Sequence, residues 1–326
     1  MAKQEFSIPA LMAQVPTEFD AYLLLERIRW ERGVVCPHCG VVGKHYYLEP
    51  KNGTSRATRT GARSQRRVWK CKDCRKQFSV LTGTIFHGTK IPVRTWLMVI
   101  FEMCASKNGV AAREIERKYD LTPKSAWFMT HRIREAMKRD PLAGLLGGAV
   151  QVDETWIGGN PKNRHANDSR TRPGTGRSDK QPVVSLIHYE TREVYSQVVP
   201  DVTGKTLMPA IEKVMEPKRT WLYTDSAAAY RSIAPHMAGH EAVNHDDGEY
   251  ARGNVSTNLV EGFFSQLKRS LDGTHHHVST EHLGRYLAEF DYRYSTHFIS
   301  DSQRMRGLIA RTGGRRLTYK PLTGQA

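Results

Sequence analysis

The apolar positions of this chain follow two periods, and the switches between them divide it. Phe19, Tyr22, Leu23, Leu25, Ile28 and Trp30 recur at roughly helical spacing behind Thr17, a suitable cap. After an irregular start, one packing helix is therefore predicted within residues 1–33. A second helical region, 91–139, breaks into three. Pro92 suits a helix start, 93–106 is apolar and amphipathic, and Lys107-Asn108-Gly109 interrupts it. Residues 110–119 read as a short second helix. Asp120-Leu121-Thr122-Pro123 then gives a turn, a cap and a proline at the first helical position. The third helix, 124–139, directs Ala126, Trp127, Met129, Ile133 and Met137 to a core.

Beyond residue 141 the period shortens. Gln151 to Gly158 reads as a buried strand, preceded by an apolar, Gly-rich stretch and followed by Gly158-Gly159. Residues 182–189 and 193–199 alternate as paired strands around a turn near Thr191-Arg192. A helix follows at 205–214, a strand at 221–224, a helix at 258–271 and another at 281–294. The order strand, strand, strand, helix, strand, helix is that of a ribonuclease H-like core. The fold class read from the pattern is α/β, in an α+β multidomain chain. The expected divisions are an N-terminal helical segment (1–33), a metal-binding ribbon with a basic insert (34–88), a helix-turn-helix (89–140), the catalytic core (148–298) and a basic C-terminal tail (299–326).

Composition narrows the partners. A chain of 326 residues is long enough for two or three cored domains. The longest apolar run, 96–101, ends at Glu102, which is too short for a membrane span. No basic segment joined to an apolar one opens the chain, so no secretory signal is evident. The 49 Lys and Arg outnumber the 33 Asp and Glu, giving a net charge of +16. That balance favours a polyanion, through phosphate neutralisation and counterion release. Five cysteines without a signal indicate a reducing compartment, the cytoplasm, where thiols serve metals rather than disulfides.

Four of those thiols are spaced for metal. Cys36-Pro37-His38-Cys39 and Cys71-Lys72-Asp73-Cys74 are two knuckles that together complete a tetrahedral four-thiolate site, suited to structural zinc. His38 is expected to be a solvent-facing spacer and Cys104 a core residue. A redox role for the pairs lacks the surrounding strand-helix-strand context it needs. Between the knuckles lie Lys44, Lys51, Arg56, Arg59, Arg63, Arg66, Arg67 and Lys70 against Glu49 alone, a basic loop in which Arg66 and Arg67 are candidate DNA contacts. The short helix, turn and longer helix match helix-turn-helix docking, with Lys124, Ser125, Thr130, His131, Arg132 and Arg134 on the outside and Lys124, Ser125 and Arg132 as contacts. A plain three-helix packing module competes with that reading. The polar stretch 159–182 is either a solvated loop or a DNA-contacting flap. After Asp301 the tail carries Arg304, Arg306, Arg311, Arg315, Arg316 and Lys320 without an acid, which suits backbone contact or an irregular end.

The acids are the most informative residues. Asp153 stands among β-formers on the strand that opens the core, and a carboxylate rarely sits there unless paired or metal-bound. Trp221-Leu222-Tyr223-Thr224 is a strand that ends on Asp225, and Glu261 lies on the helix 258–271. Two strand-borne acids and one on a later helix can converge on Mg2+ or Mn2+, which prefer oxygen ligands. Lys268 falls nearly two turns after Glu261, on the same helix face, where its ammonium could hold a phosphate. Glu154 should point away from Asp153 because strand side chains alternate. Asp246, Asp247 and Glu249 read as solvated turn acids, His245 as structural or phosphate-facing, and His275 to His277 as a metal tract or a loop-borne DNA contact.

These motifs resemble a known family. Val152-Asp153-Glu154-Thr155-Trp156-Ile157-Gly158-Gly159, Tyr223-Thr224-Asp225-Ser226, the stretch Val243 to Tyr250, Thr257-Asn258-Leu259-Val260-Glu261-Gly262-Phe263-Phe264-Ser265-Gln266-Leu267-Lys268 and His276-His277-Val278 look like the zinc-ribbon DDE transposases of bacterial insertion sequences, the group related to eukaryotic Merlin elements. Trp30 and the first cysteine knuckle fit as well, so the likeness spans roughly 17–295. It implies a ribonuclease H-like catalytic fold, binding of terminal inverted repeats, and Mg2+-dependent strand cleavage and transfer. Carried over, Asp153, Asp225 and Glu261 are the three acids. Some relatives use Asn as third ligand, which gives Asn258 a role as second ligand or positioning residue. The resemblance also implies double-stranded DNA as partner, at element ends and target, homo-oligomers on DNA, and a place at the bacterial nucleoid. Two rivals share the scaffold: a catalytically silent DNA-binding regulator derived from such an enzyme, and a structure-selective nuclease.

Overall fold

The computed structural model describes residues 7–49, 66–140, 143–158, 180–244, 248–249, 251–253 and 255–324. Much of the basic insert, the stretch 159–179, and His245, Asp246 and Asp247 lie outside the described residues. The chain forms two compact units. One comprises Met1–Ser106, Ala112–Met137 and Ile299–Ala326, the other Lys107–Ala111 and Lys138–Phe298.

The first unit opens with helices α1 (Ile8–Gln14) and α2 (Glu18–Arg29). The first of these stands where the sequence suggested an irregular start. Thr17 caps α2 through a reciprocal pair with Asp20, as its position predicts. Three short antiparallel strands follow, β1 (His45–Tyr47), β2 (Trp69–Cys71) and β3 (Gln77–Phe78). Helix α3 (Val93–Ala105) starts after Pro92, and its first amides are bound from α2. Glu18 accepts the N–H of Val93 at 2.6 Å and of Arg94 at 3.0 Å. A carboxylate there satisfies orphan donors and complements the helix dipole. Helices α4 (Ala112–Lys118) and α5 (Pro123–Met137) complete the middle segment.

Helix α5 departs from the expected amphipathic pattern. Met129, Thr130, His131, Arg132, Ile133, Arg134, Ala136 and Met137 are all buried, so its last two turns have little free face.

The second unit is built on a five-stranded sheet. Its strands are β4 (Leu146–Ile157), β5 (Gln181–His188), β6 (Val194–Val198), β7 (Met215–Asp225) and β8 (Gly239–Val243), in the order β6-β5-β4-β7-β8. The first three pair antiparallel, whereas β4 with β7 and β7 with β8 are parallel. Helix α6 (Gly204–Glu212) makes the crossover from β6 past β5 and β4 to β7, which runs in the same direction as β6, because parallel strands cannot be joined by a tight turn. A small hairpin, β9 (Ala251–Arg252) and β10 (Val255–Ser256), precedes helices α7 (Asn258–Ser270) and α8 (Thr280–Ser295).

Side-chain alternation sorts β4 between two cores. Val150 and Val152 join Leu186, Leu222, Tyr230 and the apolar side of α6. Ile157, with Val183 and Ile187 of β5, packs against Val260, Phe263, Phe264 and Leu267 of α7 and Leu283 and Leu287 of α8. One face of the sheet is thus covered by α7 and α8, the other by α6 and the turns after β7. The C-terminal segment returns to the first unit as helices α9 (Asp301–Ala310) and α10 (Tyr319–Leu322). Met305, Leu308 and Ile309 are buried, and Arg304 donates to the Cys104 carbonyl at 2.7 Å. The tail, read as a backbone contact or an irregular end, is therefore partly a core helix.

Asp291 of α8 binds β6 through two bonds, accepting from the Ser196 N–H at 2.8 Å and its hydroxyl at 2.7 Å. Burial pushes its carboxyl up to about 7, against those two bonds. A folded-state value above the unfolded one means that this group favours folding at low pH, and that the contribution is lost as pH rises from about 4 to about 7. Asp291→Asn copies the protonated form. Its stability relative to the wild type should rise by roughly 2–4 kcal/mol between pH 4 and pH 8, since a tenfold change in proton affinity is about 1.4 kcal/mol. Parallel urea titrations of the two chains at both pH values measure it.

Candidate active site and zinc centre

The two cysteine knuckles meet. Backbone bonds from Gly40 to the Cys36 carbonyl and from Cys36 to the Val41 carbonyl close the first, with Gly40 at a φ of 76° that suits glycine. The β2–β3 hairpin closes the second, Cys71 N–H reaching the Lys76 carbonyl at 3.1 Å. The four sulfurs lie within 4.8 Å of one another, with Cys36 to Cys74 and Cys39 to Cys71 both 3.7 Å. A tetrahedral zinc with Zn–S bonds of about 2.3 Å sets its sulfurs about 3.8 Å apart, so the donor set fits that ion. His38 instead meets the Gln77 carbonyl at 3.2 Å, as a spacer would. Trp30, Trp69 and Phe78 pack edge-on beside the knuckles.

On the sheet, Asp153 and Asp225 follow from register. Gln151 of β4 pairs with Tyr223 of β7, and two residues further on each strand stands an acid. The paired register ends at Gln151 and Tyr223, and side-chain alternation continued from there turns both acids to the α7 side of the sheet. Both are half-buried. Asp153 accepts from the Glu154 N–H at 2.7 Å, and Asp225 from the Ala227 N–H at 3.0 Å. Glu261 lies in the first turn of α7, exposed, and accepts from the Thr257 hydroxyl at 2.6 Å. Asn258, at the first residue of α7, and Lys268, nearly two turns beyond Glu261, are exposed too. Among the described residues the four thiols form the one group of three or more donors all within 4.8 Å.

Tyr230 and Gln151, which the sequence reading passed over, bracket these acids. Glu154 faces away from Asp153, as alternation requires, and accepts a hydrogen bond from the hydroxyl of buried Tyr230. Burial pushes its carboxyl up to about 7. The Tyr230 bond opposes that rise, while the charges of Asp153 and Asp225 add to it. Burial and then the Glu154 charge hold the Tyr230 hydroxyl well above its ordinary value. Tyr230 lies on the turn after Asp225, so this bond ties that turn to β4. Gln151, fully buried, binds the start of α7 from the other face. An alternating strand signals such polar residues only as departures from its apolar pattern.

The DNA-contact candidates divide. Lys124 is exposed, its ammonium 4.3 Å from the Tyr319 ring centroid, and Ser125 closes a cap with Thr122. The outward placement expected for Thr130, His131, Arg132 and Arg134 is corrected. Arg132 is 4% exposed, donates to the His87 carbonyl at 2.7 Å and lies over Trp96 and Phe128. A guanidinium tolerates such burial when it is stacked and hydrogen-bonded. Arg67 is likewise turned inward, 2.9 Å from Glu26 and over the rings of Phe19, Tyr47 and Trp69. Neither side chain presents a free guanidinium for phosphate. Arg66 is exposed and donates to the Ser79 hydroxyl at 3.2 Å.

Known proteins carry the same two modules. Residues 145–295 match the ISXO2-like transposase domain, a DDE family, and residues 16–77 match the transposase zinc-ribbon domain. A protein described as an uncharacterized protein in transposable element ISH50, from Halobacterium salinarum, is 28% identical over 285 residues, which cover 85% of this chain and 90% of that one. An uncharacterized transposase-like protein of Haemophilus influenzae is 29% identical over 103 residues, 32% of this chain and 81% of its own. The class is that of the transposases of insertion sequences. Within it, the chain belongs to the ISXO2-like DDE transposases that carry an amino-terminal zinc ribbon. A DDE domain of this kind implies polynucleotidyl transfer, DNA as the bound polymer, and a divalent metal. No helix among the described residues is long and apolar enough to cross a membrane.

The purified chain should carry about one zinc ion, held by the four thiolates. Replacing Cys39 or Cys71 by Ser should reduce the zinc found by elemental analysis at least tenfold. It should also lower the melting temperature of the first unit, since metal binding and folding are coupled.

Proposed function

We propose that the chain binds the terminal inverted repeats of its element and catalyses Mg2+-dependent strand cleavage and strand transfer. The observation that supports this reading is the β4–β7 register, which pairs Gln151 with Tyr223, two residues before Asp153 and Asp225. The order β6-β5-β4-β7-β8, with its antiparallel half and its parallel half, supports a ribonuclease H-like core. Asp153, Asp225 and Glu261 would hold Mg2+ or Mn2+, with Asn258 offering a carbonyl oxygen one turn before Glu261. Two cations bound there would activate the attacking water or 3′-hydroxyl and stabilise the leaving oxygen. The carboxylates orient that chemistry because both strand acids already have one oxygen held by a backbone N–H. Lys268 extends from the same exposed face as Glu261 and neutralises a phosphate of the DNA strand next to the reacting one.

Binding belongs to the first unit in this reading. The zinc ribbon, with Arg66 and the basic insert, and the exposed first turn of α5, with Lys124 and Ser125, contact element ends. Arg132 and Arg67 support those elements from inside. The net charge of +16 supplies the sequence-independent part of the attraction. Pairing two ends calls for at least two copies of the chain on DNA.

Asp153→Ala and Asp225→Ala should each reduce Mg2+-dependent cleavage of inverted-repeat DNA by at least about 1,000-fold, because each removes a ligand of the proposed two-metal site. End binding in a gel-shift assay should stay within about twofold, since Asp153 and Asp225 are not among the contacts expected to carry it. Glu261→Ala should cost more than Asn258→Ala. Cleavage that survives in the two aspartate variants removes the assignment.

A further inference from the structure

Gln151 is 0% exposed, two residues before Asp153 and on the same face of β4. Its Oε1 accepts the N–H of Leu259 at 3.0 Å and that of Val260 at 3.4 Å. Its Nε2 donates to the Ser256 hydroxyl at 3.2 Å. The two amides belong to the first turn of α7, where helix N–H groups have no partner within the helix. A cap residue commonly serves them, but the Thr257 side chain caps nothing here. Its hydroxyl is directed to Glu261 instead. The cap of α7 therefore comes from across the sheet, from the strand that bears Asp153.

We propose that Gln151 is a positioning residue of the acidic site, fixing the distance and angle at which Glu261 and Asn258 approach Asp153. The proposal rests on the reading of these residues as one metal site. The chemistry explains why the residue is an amide. Its oxygen meets two donors while its nitrogen meets Ser256, so the side chain has a single satisfied orientation. A carboxylate at the same place would add a negative charge to a group that already holds Asp153, Asp225 and Glu261. An apolar side chain would leave two buried N–H groups unsatisfied and release the helix start.

The test is a Mn2+ titration of the full chain, followed by the paramagnetic signal of the free ion, with hydrogen exchange read on the metal-free protein. Gln151→Met should raise the Mn2+ midpoint about tenfold, the usual scale for residues that orient metal ligands. It should also speed exchange at the Leu259 and Val260 amides while the chain stays folded by circular dichroism. Combined with Glu261→Ala, it should add nothing to the shift that Glu261→Ala produces alone. A Gln151→Met midpoint equal to wild type, or full additivity in the double variant, overturns the proposal. Should Gln151→Met not fold, Ser256→Ala, which frees the amide to turn without opening a large cavity, gives the answer. A midpoint raised in the same direction is expected, and an unmoved one overturns it. A wild-type chain that binds Mn2+ no better than Asp153→Ala removes the metal-site reading and this proposal with it. A wild-type site with an unshifted Gln151→Met removes the proposal alone.

Discussion

β4 meets β7 as a parallel pair, and the pairing leaves little room to slide. A slip of one residue would carry Val150 and Val152 out of the core they share with Leu222, and would turn Asp153 to the wrong face. Hydrophobic burial on both faces of the sheet therefore fixes where the acids stand. The apolar residues of β4 hold the strand in register, and the polar ones, interleaved with them, inherit the geometry. This is how half-buried carboxylates persist on central elements: the flanking valines resist the one-residue slip that would turn Asp153 away.

The same strand also reaches outward on each side. Through Gln151 it holds the start of α7, and through Glu154 it holds the turn after β7 by way of Tyr230. The three acids sit on three different elements, and β4 reaches α7 and the turn that follows Asp225 by side-chain hydrogen bonds placed immediately around its own acid. In the first unit a comparable economy is visible. Glu26 accepts from Arg67 and from the Trp69 indole, and so joins α2 to the strand that leads into the second cysteine knuckle. Buried charge is used there to fix the ribbon against a helix rather than to meet a ligand.

Legibility in the sequence followed the range of the interaction concerned. The cysteine knuckles were plain because each is a local turn whose spacing is dictated by tetrahedral coordination. The placement of Asp153 on a strand and of Glu261 in the first turn of a helix was plain because an acid there interrupts an apolar strand or leads an amphipathic helix. β5, β6 and the helices α6 to α8 emerged within a few residues of their observed limits. The first half of β7 was hidden by the exposed Glu216, Lys218 and Arg219 and by Pro217, which together mask strand character. Arg132 and Arg67 were read as surface residues because charge suggests water, and only tertiary packing supplies a carbonyl, a carboxylate and aromatic rings to receive them. Gln151 and Tyr230 carried no signal of their own, since each acts through a partner distant along the chain.

The return of α9 to the first unit has a consequence for how the protein is made. The core of that unit contains Met305, Leu308 and Ile309, and the Cys104 carbonyl is met by Arg304. These residues leave the ribosome only after the whole sheet unit has been synthesised. A nascent chain can therefore complete its sheet unit first and the ribbon-bearing unit last, and a chain terminated before α9 lacks part of that unit's core. Translation itself delays the moment at which a competent molecule exists.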